Sequence, residues 1–107
     1  MPKLDVTLSD IATDIELVEK VLALKEDIGN DYPEAVDVWK KSVVRKVQDL
    51  CDDVESIAYQ ITLSDLDRIK LLEELIAVDR KVKAHGILEC NRISEMIEQL
   101  LSLTATD

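Results

Sequence analysis

The segment from Pro33 to Ile61 constrains the fold most, because it contains neither Gly nor Pro after its first residue. Apolar residues repeat along it every seven positions in two neighbouring rows, which are Val36, Val43, Leu50, Ile57 and Val47, Val54, Ile61. Two such rows form one apolar seam on a single helix face, with nearly the spacing of helix–helix packing. The helix would be about 43 Å long. A helix so long and one-sided is stable only when other apolar elements cover the seam.

The composition of the rest of the chain favours a few long elements. The 107 residues are 47% hydrophobic, but they include only two Gly and two Pro. A β-sandwich or barrel would need many turns, so we predict one all-α domain spanning residues 1–107. Four helices are predicted at about residues 8–28, 32–60, 64–85 and 88–103. We expect them to pack as an antiparallel up-down four-helix bundle.

Local signals mark several predicted helix ends. Thr7 followed by Asp10 has the form of a capping box in which Asp replaces Glu. Gly29 is predicted to end the first helix. Gly86 is predicted to end the third in a left-handed turn, with Ile87 making a hydrophobic contact after it. We prefer this break to one bent helix that runs through Gly86.

The chain contains a partial internal similarity. The tetrapeptide Thr-Leu-Ser-Asp occurs at Thr7–Asp10 and again at Thr62–Asp65, and the segment Ile15–Leu24 (IELVEKVLAL) then resembles Ile69–Val78 (IKLLEELIAV). One interpretation is a duplication that produced two tandem helical hairpins. The other is that amphipathic helices resemble one another and share a common start signal. The sequence leaves both interpretations open.

The charge of the chain limits its partners. It carries 23 acidic and 13 basic residues, for a formal net charge of −10. A surface this negative repels phosphates, so we expect no direct nucleic-acid binding. It favours a basic protein partner, or it serves only to keep the protein in solution. No apolar run approaches membrane-spanning length, so we expect no membrane contact and a cytoplasmic location.

Few residues suggest chemistry. A metal site made from Cys51, Cys90 and the one histidine, His85, would need three helices to converge and a fourth ligand. We interpret His85 instead as a side chain near the carbonyls that end the third helix. Glycine occurs only at Gly29 and Gly86, which excludes glycine-rich phosphate loops. We therefore predict no enzyme, no metal and no cofactor.

The charge of the outward-facing residues of the second helix changes from positive to negative along its length. The basic positions come first and are Lys40, Lys41, Arg45 and Lys46. Acidic positions follow, with an aromatic residue among them, as in surfaces that bind basic proteins. The tryptophan that precedes them is either a core residue or an exposed interface anchor. The predicted partner-binding residues are Asp49, Asp52, Asp53, Glu55, Tyr59 and Trp39.

One short stretch resembles a known family. Trp39, a following Val-Arg pair and an acidic run ending at Glu55 resemble the third-helix pattern of plant immune-receptor coiled-coil domains. That family closes the pattern with Glu-Asp-x-x-Asp. Ser56 and Tyr59 replace both Asp residues here, so we assign no family on this resemblance.

We predict that the protein is a non-enzymatic acidic helical interaction module. Immunity proteins and phage-encoded antagonists that cover a basic surface, such as that of a nucleic-acid-handling protein, are built in this way. The alternative is a self-associating structural bundle with no charged partner. The second helix is predicted to be longer than the other helices, so its far end, from Ile57 to Ile61, needs cover. A second copy in a homodimer or the N-terminal segment could provide it.

Overall fold

In the computed structural model of the protein, residues 7–60, 64–87 and 91–104 are described, apart from the side chains of residues 59, 60, 103 and 104. Four helices account for most of them: α1 (Leu8–Ile28), α2 (Pro33–Gln60), α3 (Asp65–Ala84) and α4 (Asn91–Thr104). No strand occurs in these three ranges. The all-α prediction is confirmed, and the helix bounds lie close to the predicted ones. The predicted start of the fourth helix at residue 88 lies outside the described residues.

The starts of α1 and α3 are fixed by side-chain caps. The Asp10 backbone N–H donates to Thr7 Oγ1 at 3.3 Å, and the Thr7 N–H donates to Asp10 Oδ2 at 2.9 Å. This is the predicted capping box, which satisfies two N–H groups that have no partner inside the helix. Ser64 caps α3 by accepting a hydrogen bond from the Asp67 N–H at 3.2 Å.

The end of α3 is a Schellman motif. The Ile87 N–H donates to the Val82 carbonyl at 3.3 Å, and the Gly86 N–H donates to the Lys83 carbonyl at 2.9 Å. Gly86 has a positive φ of 76°, which glycine adopts without steric cost. Val82 and Ile87 are both buried, as expected for the hydrophobic contact of this motif. The predicted break after α3 is therefore confirmed.

The heptad seam of α2 lies in the centre of the core. Its described members are buried, except Val36, which is half-buried at one edge; Ile61 lies outside the described residues. Trp39 and Cys51 extend the seam on either flank. Residues from all four helices join it in one hydrophobic cluster. Coverage by the other helices explains how so long a helix is stabilised.

The helices pack as a bundle in which each has two principal neighbours. The packed pairs are α1 with α2, α3 with α4, α2 with α4, and α1 with α3. Ile57, in the far half of α2, is buried within the single chain, and α4 reaches this half through Arg92. For Ile57 a second copy is therefore not needed, and the other expected cover, the N-terminal segment, lies outside the described residues.

Burial does not follow the internal similarity. The alignment of the two similar segments pairs Leu24, which is exposed, with Val78, which is buried. It also pairs buried Ile15 with exposed Ile69. The caps differ as well, since α1 begins after the threonine of its tetrapeptide and α3 after the serine. The burial pattern thus gives no support to a duplication in that alignment.

Candidate partner-binding surface

The solvent face of α2 carries most of the predicted partner-binding charge. Helical geometry places Lys41, Arg45, Asp52 and Glu55 on the side of α2 opposite the buried seam. The side chains of Asp52 and Glu55 are 62% and 50% exposed. Asp49 lies beside them and is also exposed. We call Asp49, Asp52 and Glu55 the acidic half of this face.

Arg92 of α4 reaches across to the acidic half. Its Nη1 atom lies 2.6 Å from Asp52 Oδ1, and its Nη2 atom lies 2.9 Å from Glu55 Oε2. Partial burial lowers the pKa of the Arg92 guanidinium, but the hydrogen bonds to Asp52 and Glu55 outweigh it, so that this pKa is raised above its usual value. The guanidinium therefore stays charged and fixes the two carboxylates in position. Three carboxylates and one guanidinium leave a local charge of −2.

Two predicted partner-binding residues are not available to a partner. Asp53 is only 7% exposed, because it lies one turn from both Leu50 and Ile57 and so borders the buried seam. Trp39 is only 3% exposed, and its indole Nε1 donates to the Val21 carbonyl at 2.7 Å. Assigning these two residues to an exposed face is therefore wrong, and the core interpretation of Trp39 is confirmed. The side chain of Tyr59 lies outside the description.

The first half of the α2 solvent face is open and mostly basic. Its side chains border about 510 Å³ of open space, and the bordering residues, all on α2, are Asp37, Lys40, Lys41, Val44, Arg45 and Gln48. Lys41 is 79% exposed and forms an ion pair with Asp37, with an Nζ–Oδ2 distance of 3.2 Å. These basic positions are visible in the sequence, but we predicted no binding site at them. Arg92 was missed completely, since no spacing signal connects it to residues of α2 so far along the chain.

The two described residues that the sequence suggested for chemistry, His85 and Cys51, lie in different environments. His85 is exposed at the end of α3, where its ring Nδ1 lies 2.8 Å from the Lys81 carbonyl and therefore donates to it. Its ring also packs against Trp39, with centroids 5.7 Å apart. Cys51 is fully buried, and Cys90 lies outside the described residues. Within the described ranges, no group of three or more His, Cys, Asp or Glu side chains is placed to hold a metal ion.

Two further observations concern the class of protein. Among the described helices, none combines the length and apolar character needed to cross a membrane. Comparisons with protein-family models, curated proteins and solved structures give no match.

Proposed function

We propose that the protein is a non-enzymatic interaction module that binds a basic protein surface through Asp49, Asp52 and Glu55. An inhibitor or antagonist of a nucleic-acid-handling protein is the form we favour, acting in the cytoplasm. The observation that carries this proposal is the exposure of three carboxylates on one helix face. Complementary charge raises the association rate and selects the partner.

The position of these carboxylates also suits recognition. Arg92 holds two of them from a second helix, so the side chains are ordered before a partner arrives. Ordering in advance reduces the entropy lost on binding. The carboxylates keep free oxygen lone pairs, which can accept further hydrogen bonds from lysine or arginine.

For the scaffold we propose a single domain with the antiparallel up-down arrangement. Two contacts support it, because each joins the late part of one helix to the early part of the next. Trp39 of α2 bonds to Val21 of α1, and Lys83 of α3 lies 3.4 Å from Ser94 Oγ of α4. The short connections within the packed pairs α1–α2 and α3–α4 favour the same topology.

The test compares partner capture by two variants of equal charge. The first variant neutralises the acidic half (Asp49→Asn, Asp52→Asn, Glu55→Gln). The control neutralises three exposed acids elsewhere (Glu16→Gln, Asp27→Asn, Glu73→Gln). The partner is captured from the native host with the wild-type protein, identified and purified, and its affinity for each protein is then measured by calorimetry at low and high salt.

We expect the first variant to bind about tenfold more weakly or worse, since each exposed ion pair contributes about 0.2–1 kcal/mol. The control should bind nearly as the wild type does. Wild-type affinity should also fall as salt rises, because exposed charges are screened. Equal affinity of both variants, or affinity that is independent of salt, would contradict the proposal.

A further inference from the structure

The solvent face of α2 carries both signs of charge, separated into two halves. Lys41 and Arg45 occupy the first half, and Asp52 and Glu55 occupy the second. Gln48, which is exposed and uncharged, lies between them. The same face therefore contains an acidic surface and, about 10–20 Å along the helix, a basic surface.

Within one chain Lys41 and Arg45 cannot reach Asp52 and Glu55, which lie about two turns or more further along the same helix. Lys41 reaches only Asp37, and the acidic half is held by Arg92 from α4. All of these side chains stay substantially exposed: Lys41 by 79%, Asp52 by 62% and Glu55 by 50%. The basic half also borders about 510 Å³ of open space that is lined by side chains of α2 alone.

We propose that the acidic half also recognises the basic half of α2 in a second copy of the chain. The two α2 helices would cross in opposite directions about a two-fold axis near Gln48. Lys41 of each copy would then face Glu55 of the other, and Arg45 would face Asp52. This inference rests on the proposed function, since it uses the same acidic residues as a binding surface.

Charge alone selects this orientation. A parallel pair of α2 helices would place the basic halves against each other and the acidic halves against each other, which is repulsive. The antiparallel pair forms each contact twice, as an isologous two-fold interface requires. Exposed ion pairs are individually weak, so the dimer is weak, salt-sensitive and in exchange with the monomer.

The test is a charge exchange between copies, measured by sedimentation velocity at about 10 μM to 1 mM protein. Variant one is Lys41→Glu with Arg45→Glu, which makes both halves acidic. Variant two is Asp52→Lys with Glu55→Lys, which makes basic the two positions that would face Arg45 and Lys41 of the other copy. A control of equal charge change, Lys20→Glu with Lys70→Glu, alters exposed lysines on other helices. Circular dichroism checks that each variant is helical.

We expect the wild type and the control to form dimers at low salt and to dissociate at high salt. Each variant alone should be monomeric, because its two copies repel. An equimolar mixture of the two variants should restore dimers. A wild type that stays monomeric over the whole range, a first variant that dimerises as the wild type does, or a mixture without dimers would each overturn the inference.

The outcome is separable from that of the proposed function. The first variant keeps Asp49, Asp52 and Glu55, so it should still bind a separate basic protein captured from the host. Binding of such a protein without self-association of the wild type would refute the dimer and leave the proposed function standing. Loss of both activities in the first variant would instead show that the basic half, and not the acidic half, binds that protein.

Discussion

Replacing Trp39 tests the packing between α1 and α2 directly. Its side chain is almost completely buried on α2, and its indole N–H bonds to the Val21 carbonyl of α1 at 2.7 Å. Trp39→Phe keeps an aromatic ring but removes the donor and part of the buried area. Trp39→Ala removes the whole side chain and leaves a cavity between the two helices.

The expected losses of unfolding free energy differ for the two variants. A neutral hydrogen bond contributes about 1 kcal/mol net, and the smaller ring adds to that loss, so Trp39→Phe should cost about 1–2 kcal/mol. Truncation of a buried aromatic side chain to Ala costs about 3–5 kcal/mol. Domains of this size are stable by only about 5–15 kcal/mol. The Ala variant should therefore lose a large share of its stability.

Urea unfolding followed by circular dichroism at a helix band measures these losses for every variant. Trp39 is the one tryptophan of the chain, so its fluorescence gives a second probe for the wild type. Val38→Ala is the matched control, because Val38 is adjacent in sequence but exposed. It should change stability by less than about 0.5 kcal/mol. A cost for Trp39→Ala no greater than that of Val38→Ala would refute the core assignment of Trp39.

Two further predictions concern backbone conformation and the α2–α4 contact. Gly29→Ala should lower the free energy of unfolding by about 2–3 kcal/mol, and Gly86→Ala by only about 1 kcal/mol, both measured by urea unfolding. Gly29 combines φ 65° with ψ −153°, a region almost restricted to glycine. Neither glycine has a neighbour that a new Cβ would meet, so the difference comes from the backbone. Equal costs would contradict this difference in backbone strain. A double-mutant cycle of Arg92→Ala and Glu55→Ala should give a coupling of about 0.5–1 kcal/mol at low salt, weakening towards about 1 M NaCl. Zero coupling at low salt would show that the guanidinium does not hold this carboxylate.

The helices and their ends could be predicted because their determinants are local. A capping box needs only Thr7 and Asp10, and the end of α3 needs only Gly86 and the buried residue after it. The seven-residue spacing of the α2 seam is likewise a property of one helix, and its described members are buried or half-buried. For the same reason the reversal of charge along α2 is visible in the sequence.

Which side chains are exposed for binding could not be predicted, because exposure depends on contacts between helices that are far apart in sequence. Asp53 and Trp39 lie at the edges of the seam, where helical spacing alone leaves exposure undecided and the neighbouring helices determine it. The ion pairs of Arg92 join α4 to α2.

The sequence by itself determined four amphipathic helices, their caps and the order of charge along α2, because hydrogen bonding and periodicity act within a helix. Only the tertiary structure decided which charged side chains stay in water and that Arg92 of α4 pairs with Asp52 and Glu55 of α2. The reason is that burial depends on where the neighbouring helices pack.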